Sequence, residues 1–189
     1  MGRAERPAQL LLSALGMHHD ATAFHCVRVA ALARVVAHSY RALWLQDDLN
    51  ALILGALLHD IGKLAVPTCI LDKAGCLTPA DWPIIRAHPV KGASLCAMIP
   101  ELGQAIPSVR HHHERWDGAG YPNKLSGHSI PLHARIVAVC DTYDAITHDR
   151  PYREARGHAA ACEILETMAG VGFDPDVVYA LTGLGEAQL

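Results

Sequence analysis

Apolar residues recur along this chain at the three- and four-residue spacing that keeps one face of an α-helix buried. His25, Val29, Leu32 and Val36 fall on a single face, and the same periodicity returns in most later segments. Start and stop signals frame these runs. Asp20 is placed to cap a helix through about Arg41, and Asp47 to cap another through about Ile61, with Gly62 at its end where a positive φ is tolerated. Thr78, Pro79 and Asp81 together mark the start of a third helix. Further helices are expected from Pro89 to Met98, Leu102 to His113, Pro131 to Thr147, Gly157 to Ala169 and Pro175 to Leu184. No segment sustains a period-two alternation, and β-branched residues are too dispersed for a sheet. The expected fold class is all-α, a helical bundle with one long irregular stretch. That stretch, Glu114 to Ile130, contains Gly118, Gly120, Pro122 and Gly127, and a structureless connection of this length inside a compact domain is more often functional than idle.

Composition and charge narrow the setting. The chain has 189 residues, 51% of them apolar, enough to bury the core of one domain. Its net charge of −3 leaves no broad basic surface for a nucleic-acid polymer. A small anion needs only a local basic cluster and is not excluded. No apolar run approaches the roughly 20 residues of a membrane-spanning helix, and Met1 to Pro7 does not lead into a secretory leader. Six cysteines without a C-x-x-C pair read as reduced thiols. No membrane association and a cytoplasmic location are therefore expected. Residues 1–20 read as a helical N-terminal extension, whose Leu10, Leu11, Leu12 and Leu15 could serve a homodimer contact or pack against an upstream regulatory domain. Residues 21–189 read as the catalytic domain.

The chemical signal is histidine, of which there are 13. His59 and Asp60 stand next to each other at an expected helix end, about 100° apart around the axis, so they can flank one ion near the terminus. Asp60 has two oxygens and can bridge two metals, which an imidazole cannot. Alone, the pair fits equally well a histidine near a helix dipole with a solvated aspartate beside it. Spacing elsewhere changes the balance. His25 points inward on its helix, His88 precedes Pro89 at a helix start, and His111, His112 and His113 close another helix. Asp141 directly adjoins the apolar run Ile136 to Cys140, where an unpaired carboxylate would be costly to bury. Imidazoles and carboxylates without thiolates suit iron, manganese or another first-row ion better than structural zinc.

These residues lie in longer strings: His25-x-x-Arg28-Val29, Leu58 to Lys63, His88-Pro89-x-x-Gly92, His112 to Pro122, and Asp141-x-Tyr143-Asp144-Ala145 leading to Arg150-Pro151-Tyr152-Arg153. In this order they resemble the HD-GYP domain, the bacterial branch of the HD metal-dependent phosphohydrolases that cleaves cyclic di-GMP. The resemblance runs from about residue 22 to residue 180. It implies one metal held by His25, His59, Asp60 and Asp141, and a second held by His88, His112 and His113 with Asp60 shared. His111 lies outside the family's motif. The resemblance further implies that Lys63 donates to the phosphate or to the attacking oxygen, and that Arg150 and Arg153 contact the dinucleotide. Gly120, Tyr121 and Pro122 would form the loop over the substrate, with Trp116, Glu114 and Asp117 anchoring that loop. Some members carry a Glu one helical turn before the first His; Ala21 stands there in this chain, which implies two metal ions and not three.

The activity so implied is hydrolysis of cyclic di-GMP to the linear dinucleotide or to GMP, with Asp60 and Lys63 as the catalytic pair. Two alternatives share many of these residues. One is an HD phosphohydrolase acting on another nucleotide, which differs only in the pocket. The other is a signalling module that binds cyclic di-GMP without turnover, against which the complete ligand set speaks.

Overall fold

The computed structural model describes residues 2–40, 44–149 and 154–189. Ten α-helices occur among them: α1 Gly2–His18, α2 Asp20–Ser39, α3 Gln46–Leu58, α4 Thr68–Leu71, α5 Asp81–Arg86, α6 His88–Ala97, α7 Ile106–His111, α8 Leu132–Thr147, α9 His158–Thr167 and α10 Pro175–Thr182. Short 3-10 turns at Ile61–Ala65, Pro100–Ala105, Gly127–Ser129 and Glu186–Gln188 complete the helical content. The described residues contain no strand, only an isolated bridge between Ala169 and Phe173, so the all-α expectation holds.

The bundle is organised around α3, whose sequence is apolar on nearly every side. Leu52, Ile53 and Ala56 join a cluster with Val29, Leu32 and Val36 of α2, Ile136 and Val139 of α8, Leu165 of α9 and Leu181 of α10. Leu54 and Leu58 join a second cluster with Leu15, Ala93, Cys96, Leu102 and Val109. A helix that is hydrophobic all round belongs in the interior. Leu52 and Leu58 are fully buried, each contributing about 1.5 to 3 kcal/mol by leaving water. The C-terminus of α3 is thereby held between both halves of the core, and His59 and Asp60 emerge from it. Helix α1 is part of this packing: Leu15 is buried in the second cluster, with Leu11 and Leu12 against it, while Leu10 stays outside.

Several termini differ from expectation for local reasons. His19, not Asp20, caps α2, its Nδ1 accepting from the Thr22 amide at 3.2 Å. Asp47 lies in the first turn of α3, where its charge complements the helix dipole, but the cap position is Leu45 and no side chain caps it. The expected helix from Leu102 to His113 is divided at Pro107. A 3-10 turn ends at Ala105, and α7 begins with the proline in its first turn, where the missing N–H costs nothing.

Gly62 is needed, but not for a positive φ: the positive-φ glycines are Gly118, Gly127 and Gly170. A Cβ at Gly62 would lie 1.9 Å from the His88 carbonyl oxygen and 2.6 Å from the Gly92 amide nitrogen. The 3-10 turn after Asp60 thus rests directly on the backbone of α6, and this contact sets the spacing between Asp60 and His88. Gly62→Ala should lower stability by about 1 to 3 kcal/mol or more, because backbone atoms cannot yield as a flexible side chain can. Thermal melting of the metal-free protein measures the loss, and an unchanged midpoint would contradict it.

Candidate metal centre

Four histidines of the centre, His25, His59, His88 and His112, are each oriented by their own second nitrogen. His59 Nδ1 lies 2.7 Å from the Ala56 carbonyl, His88 Nδ1 2.7 Å from the Ile85 carbonyl, and His112 Nδ1 3.0 Å from the Val109 carbonyl. A carbonyl only accepts, so in each ring Nδ1 carries the proton and Nε2 presents a lone pair. His25 Nδ1 is held in the same sense by Asp144 Oδ2 at 2.6 Å. All four Nε2 atoms converge on Asp60. They form the inner surface of a pocket in which His25, His59, Asp60, His88 and His112 are all buried.

The two oxygens of Asp60 serve different histidines. Oδ1 lies 3.1 Å from His88 Nε2 and 3.9 Å from His112 Nε2. Oδ2 lies 3.5 Å from His59 Nε2, 3.9 Å from His25 Nε2 and 2.6 Å from Lys63 Nζ. Asp141, one face of α8 turned toward α2, places Oδ1 2.9 Å from His25 Nε2. Ligand atoms of His25, His59 and Asp141 come within 4.8 Å of one another, and so do those of His88, His112 and His113. The residues expected to act together therefore form two adjacent groups on either side of Asp60.

This arrangement fits a cation. His59 Nε2 is buried without a hydrogen-bond partner, and a buried polar atom left so is costly unless something binds it. His88 Nε2 and His112 Nε2 face each other at 3.2 Å, yet both are acceptors, so their lone pairs repel until a positive charge stands between them. Burial, reinforced by neighbouring imidazoles, holds His112 well below the ordinary histidine range and His113 down at about 3; both are neutral and free to donate a lone pair. Burial also opposes charge on His25 and His59, yet both are raised, His25 by Asp141 and Asp144 and His59 by Asp60. That half of the centre attracts a positive species, for which a proton and a metal ion compete. Burial works against the ionised forms of Asp60 and Asp141 as well, but Lys63 and His59 hold Asp60, and His25 holds Asp141, well below the usual carboxylate range. Cys26 is the one thiol nearby, buried in a group with His59 and Asp60.

The loop after α7 is fixed by its own residues. Glu114 is buried and accepts from the amides of Asn123 at 2.6 Å and Leu125 at 3.0 Å. Asp117 pairs with Arg115 and accepts from the Ala119 amide, and Trp116 bonds through its backbone to Gly172 and Gly127. These are the anchoring roles expected of all three. Gly120 permits a close crossing, since a Cβ there would lie 2.3 Å from the Arg115 nitrogen. The crossing lays Tyr121 on His113, ring centres 4.9 Å apart at 25°, with Pro122 following through a cis peptide. His111 turns toward Glu114 at 3.6 Å and away from the centre. Arg150 and Arg153 lie outside the described residues.

Two residues gain importance that the sequence reading did not give them. Asp144 is buried and accepts from His25 on one side and from Arg28 on the other, at 2.7 Å and 2.9 Å. Asp144 follows Asp141 by three residues, and Arg28 follows His25 by three, so adjacent rungs of α8 and α2 face each other. That spacing was the available signal. Beside this network lies a cavity of about 510 Å³ lined by His19, Ala21, His25, Arg28, Lys63, Asp72, Asp144 and His148 among others.

An all-helical bundle presenting paired histidines around a shared aspartate defines the class. A family model described as HD domain matches residues 10–177, and the chain belongs to that family, as its resemblance to the HD-GYP branch implied. Among curated relatives, a cyclic di-GMP phosphodiesterase of Pseudomonas aeruginosa is 43% identical over 92% of this chain and 41% of its own length. The cyclic di-GMP phosphodiesterase response regulator RpfG of Xanthomonas campestris pv. campestris is 42% identical over 76% of this chain and 38% of its own. The 3'3'-cGAMP-specific phosphodiesterase 3 of Vibrio cholerae is 36% identical over 92% and 38%. The chain thus spans about two fifths of the length of these relatives. In fold it is similar to a cyclic GMP-AMP specific phosphodiesterase of V. cholerae, with a TM-score of 0.68 at 18% identity over 92% of this chain and 46% of that one. It is also similar to the L. monocytogenes PgpH HD domain in complex with cyclic-di-AMP, with a TM-score of 0.63 at 18% identity over 92% of both chains.

Proposed function

We propose that this chain is the catalytic part of a metal-dependent phosphodiesterase that hydrolyses cyclic di-GMP to the linear dinucleotide or to GMP. The observation that carries the reading is the division of Asp60, one oxygen toward His88 and His112 and the other toward His25 and His59. That division suits two ions sharing one carboxylate. His25, His59 and Asp141 would hold one, His88, His112 and His113 the other, and hard oxygen with neutral imidazole favours iron or manganese. When bound, such ions supply positive charge for the phosphate and acidify water toward neutral pH.

The chain's own groups do the rest. Lys63 remains an ammonium, because Asp60 outweighs the burial that would lower it, and its Nζ at the rim of the centre can donate to a phosphate oxygen. Asp60, ionised and buried, is fixed against that ammonium. Tyr121, with Gly120 and Pro122, borders the His113 side and excludes water there. The catalytic domain is taken as residues 21–189, braced by α1, Gly2–His18, of the N-terminal extension. No helix among the described residues is long and apolar enough to cross a membrane; a cytoplasmic setting is part of the proposal. Homodimer formation or an upstream regulatory domain is the expected partnership.

The test is a metal-reconstituted assay across cyclic di-GMP, cyclic di-AMP and 3'3'-cGAMP with product identification, run beside elemental analysis. The expected result is preference for cyclic di-GMP with two ions bound per chain. Preference for another cyclic dinucleotide, the substrate in the name of the V. cholerae relative, would move the substrate assignment, and loss-free activity under chelation would overturn the whole reading. Within the same assay Arg150→Ala and Arg153→Ala should each weaken substrate binding by roughly 1.5 to 3 kcal/mol without altering metal content.

A further inference from the structure

Arg86 and Trp82 stand beside the centre and take no part in the reading above. Arg86 ends α5, Trp82 precedes it by one helical turn, and Tyr121 reaches them from the loop. The Arg86 guanidinium carbon lies 5.3 Å from the centre of the Trp82 ring and 5.4 Å from that of Tyr121. Tyr121 stacks on His113, and His113 stands 5.0 Å from His88. A run of flat groups therefore leads from the imidazoles of the centre out to Trp82, a residue 45% exposed. Arg28, Arg115 and Arg135 each hold a carboxylate, whereas among the described residues no carboxylate pairs with Arg86. Ring faces hold its charge by cation–π attraction, which consumes none of its five N–H donors.

We infer that Arg86 is a specificity residue that reads the guanine edge of the substrate, its forked N–H groups donating to O6 and N7. This rests on the cyclic di-GMP reading and extends it. Guanine presents two adjacent acceptors that match the guanidinium fork, while adenine presents one acceptor beside an amino donor. An all-donor side chain therefore accepts the first and rejects the second. The surroundings favour a base over a phosphate as its partner. The scissile phosphate belongs at the centre beside Lys63, and the exposed Trp82 beside Arg86 offers a flat face suited to a purine.

The test compares kcat/KM for cyclic di-GMP with kcat/KM for bis(p-nitrophenyl) phosphate, a phosphodiester with no base, in the metal-loaded parent and in Arg86→Ala and Arg86→Lys. The expected result is that the ratio between the two substrates falls about tenfold in Arg86→Ala, and that Arg86→Lys does not restore it, because lysine keeps the charge but lacks the fork. Equal losses on both substrates would mean a phosphate contact and would overturn the inference, as would an unchanged ratio. A parent protein that cleaves bis(p-nitrophenyl) phosphate but not cyclic di-GMP would overturn the substrate assignment and this inference with it. A parent active on cyclic di-GMP with no change in the variants would overturn this inference alone.

Discussion

Asp60→Ala should purify with metal content far below that of the parent and should show no hydrolysis above background on any cyclic dinucleotide. The expectation follows from where the two carboxylate oxygens stand. Removing them takes the Asp60 anion from between His88 and His59, leaving Nε2 atoms that face one another without that charge between them. It also releases Lys63, whose ammonium lies 2.6 Å from Oδ2, to face the imidazoles of the pocket without its counter-ion. An ammonium there repels an incoming cation, so the substitution acts twice against metal binding. Asp60→Asn separates these effects, since the amide preserves volume and one acceptor oxygen but removes the negative charge. It should retain the fold and lose both ions nearly as completely. Elemental analysis after reconstitution, with circular dichroism to confirm folding, reads both variants. A folded Asp60→Ala protein with full metal content and full rate would remove Asp60 from the centre.

Much of this centre could be read along the chain because metal ligation restricts residue type as well as position. His25, His59, Asp60, His88, His112, His113 and Asp141 are spread over α2, the end of α3, α6, the end of α7 and α8, yet each announces itself as an imidazole or carboxylate where the helical period turns inward. The all-α class was legible for the same reason, since period and breakers act locally. What could not be read is what depends on contact between distant segments. Gly62 looked like a helix terminator, and only the approach of α6 shows that it clears the His88 carbonyl. Asp20 looked like a cap, but His19 takes the position because its other nitrogen lies 3.0 Å from Asp72, far along the chain. Arg86 carries no motif at all: its relation to Tyr121 exists only after the loop has folded back across Arg115.

Asp144 is where such a distant contact should have its largest consequence. Its carboxylate accepts a hydrogen bond from the Nδ1–H of His25 at 2.6 Å and is itself held by two nitrogens of Arg28. Burial alone would raise its pKa, but His25 and Arg28 bring it down to about 2, so it is a fixed anion. An anion behind the ring keeps Nδ1 protonated, aims Nε2 at Asp60 and Asp141, and makes that nitrogen a better donor toward a metal. Partners of this kind typically change metal affinity by about 10- to 100-fold. Asp144→Ala should therefore weaken the ion held by His25, His59 and Asp141 by about that factor and leave the ion held by His88, His112 and His113 much closer to its original affinity. Asp144→Asn should recover part of the loss, because its amide oxygen can still accept from Nδ1 while its charge is gone. Competition against a chelator of known affinity resolves the two binding steps, and thermal melting reports any general loss of packing. A role confined to packing would lower the melting temperature in both variants and leave the two metal affinities equal to those of the parent. Affinity lost selectively at one site, and partly restored by asparagine, is the outcome that assigns Asp144 to the orientation of His25.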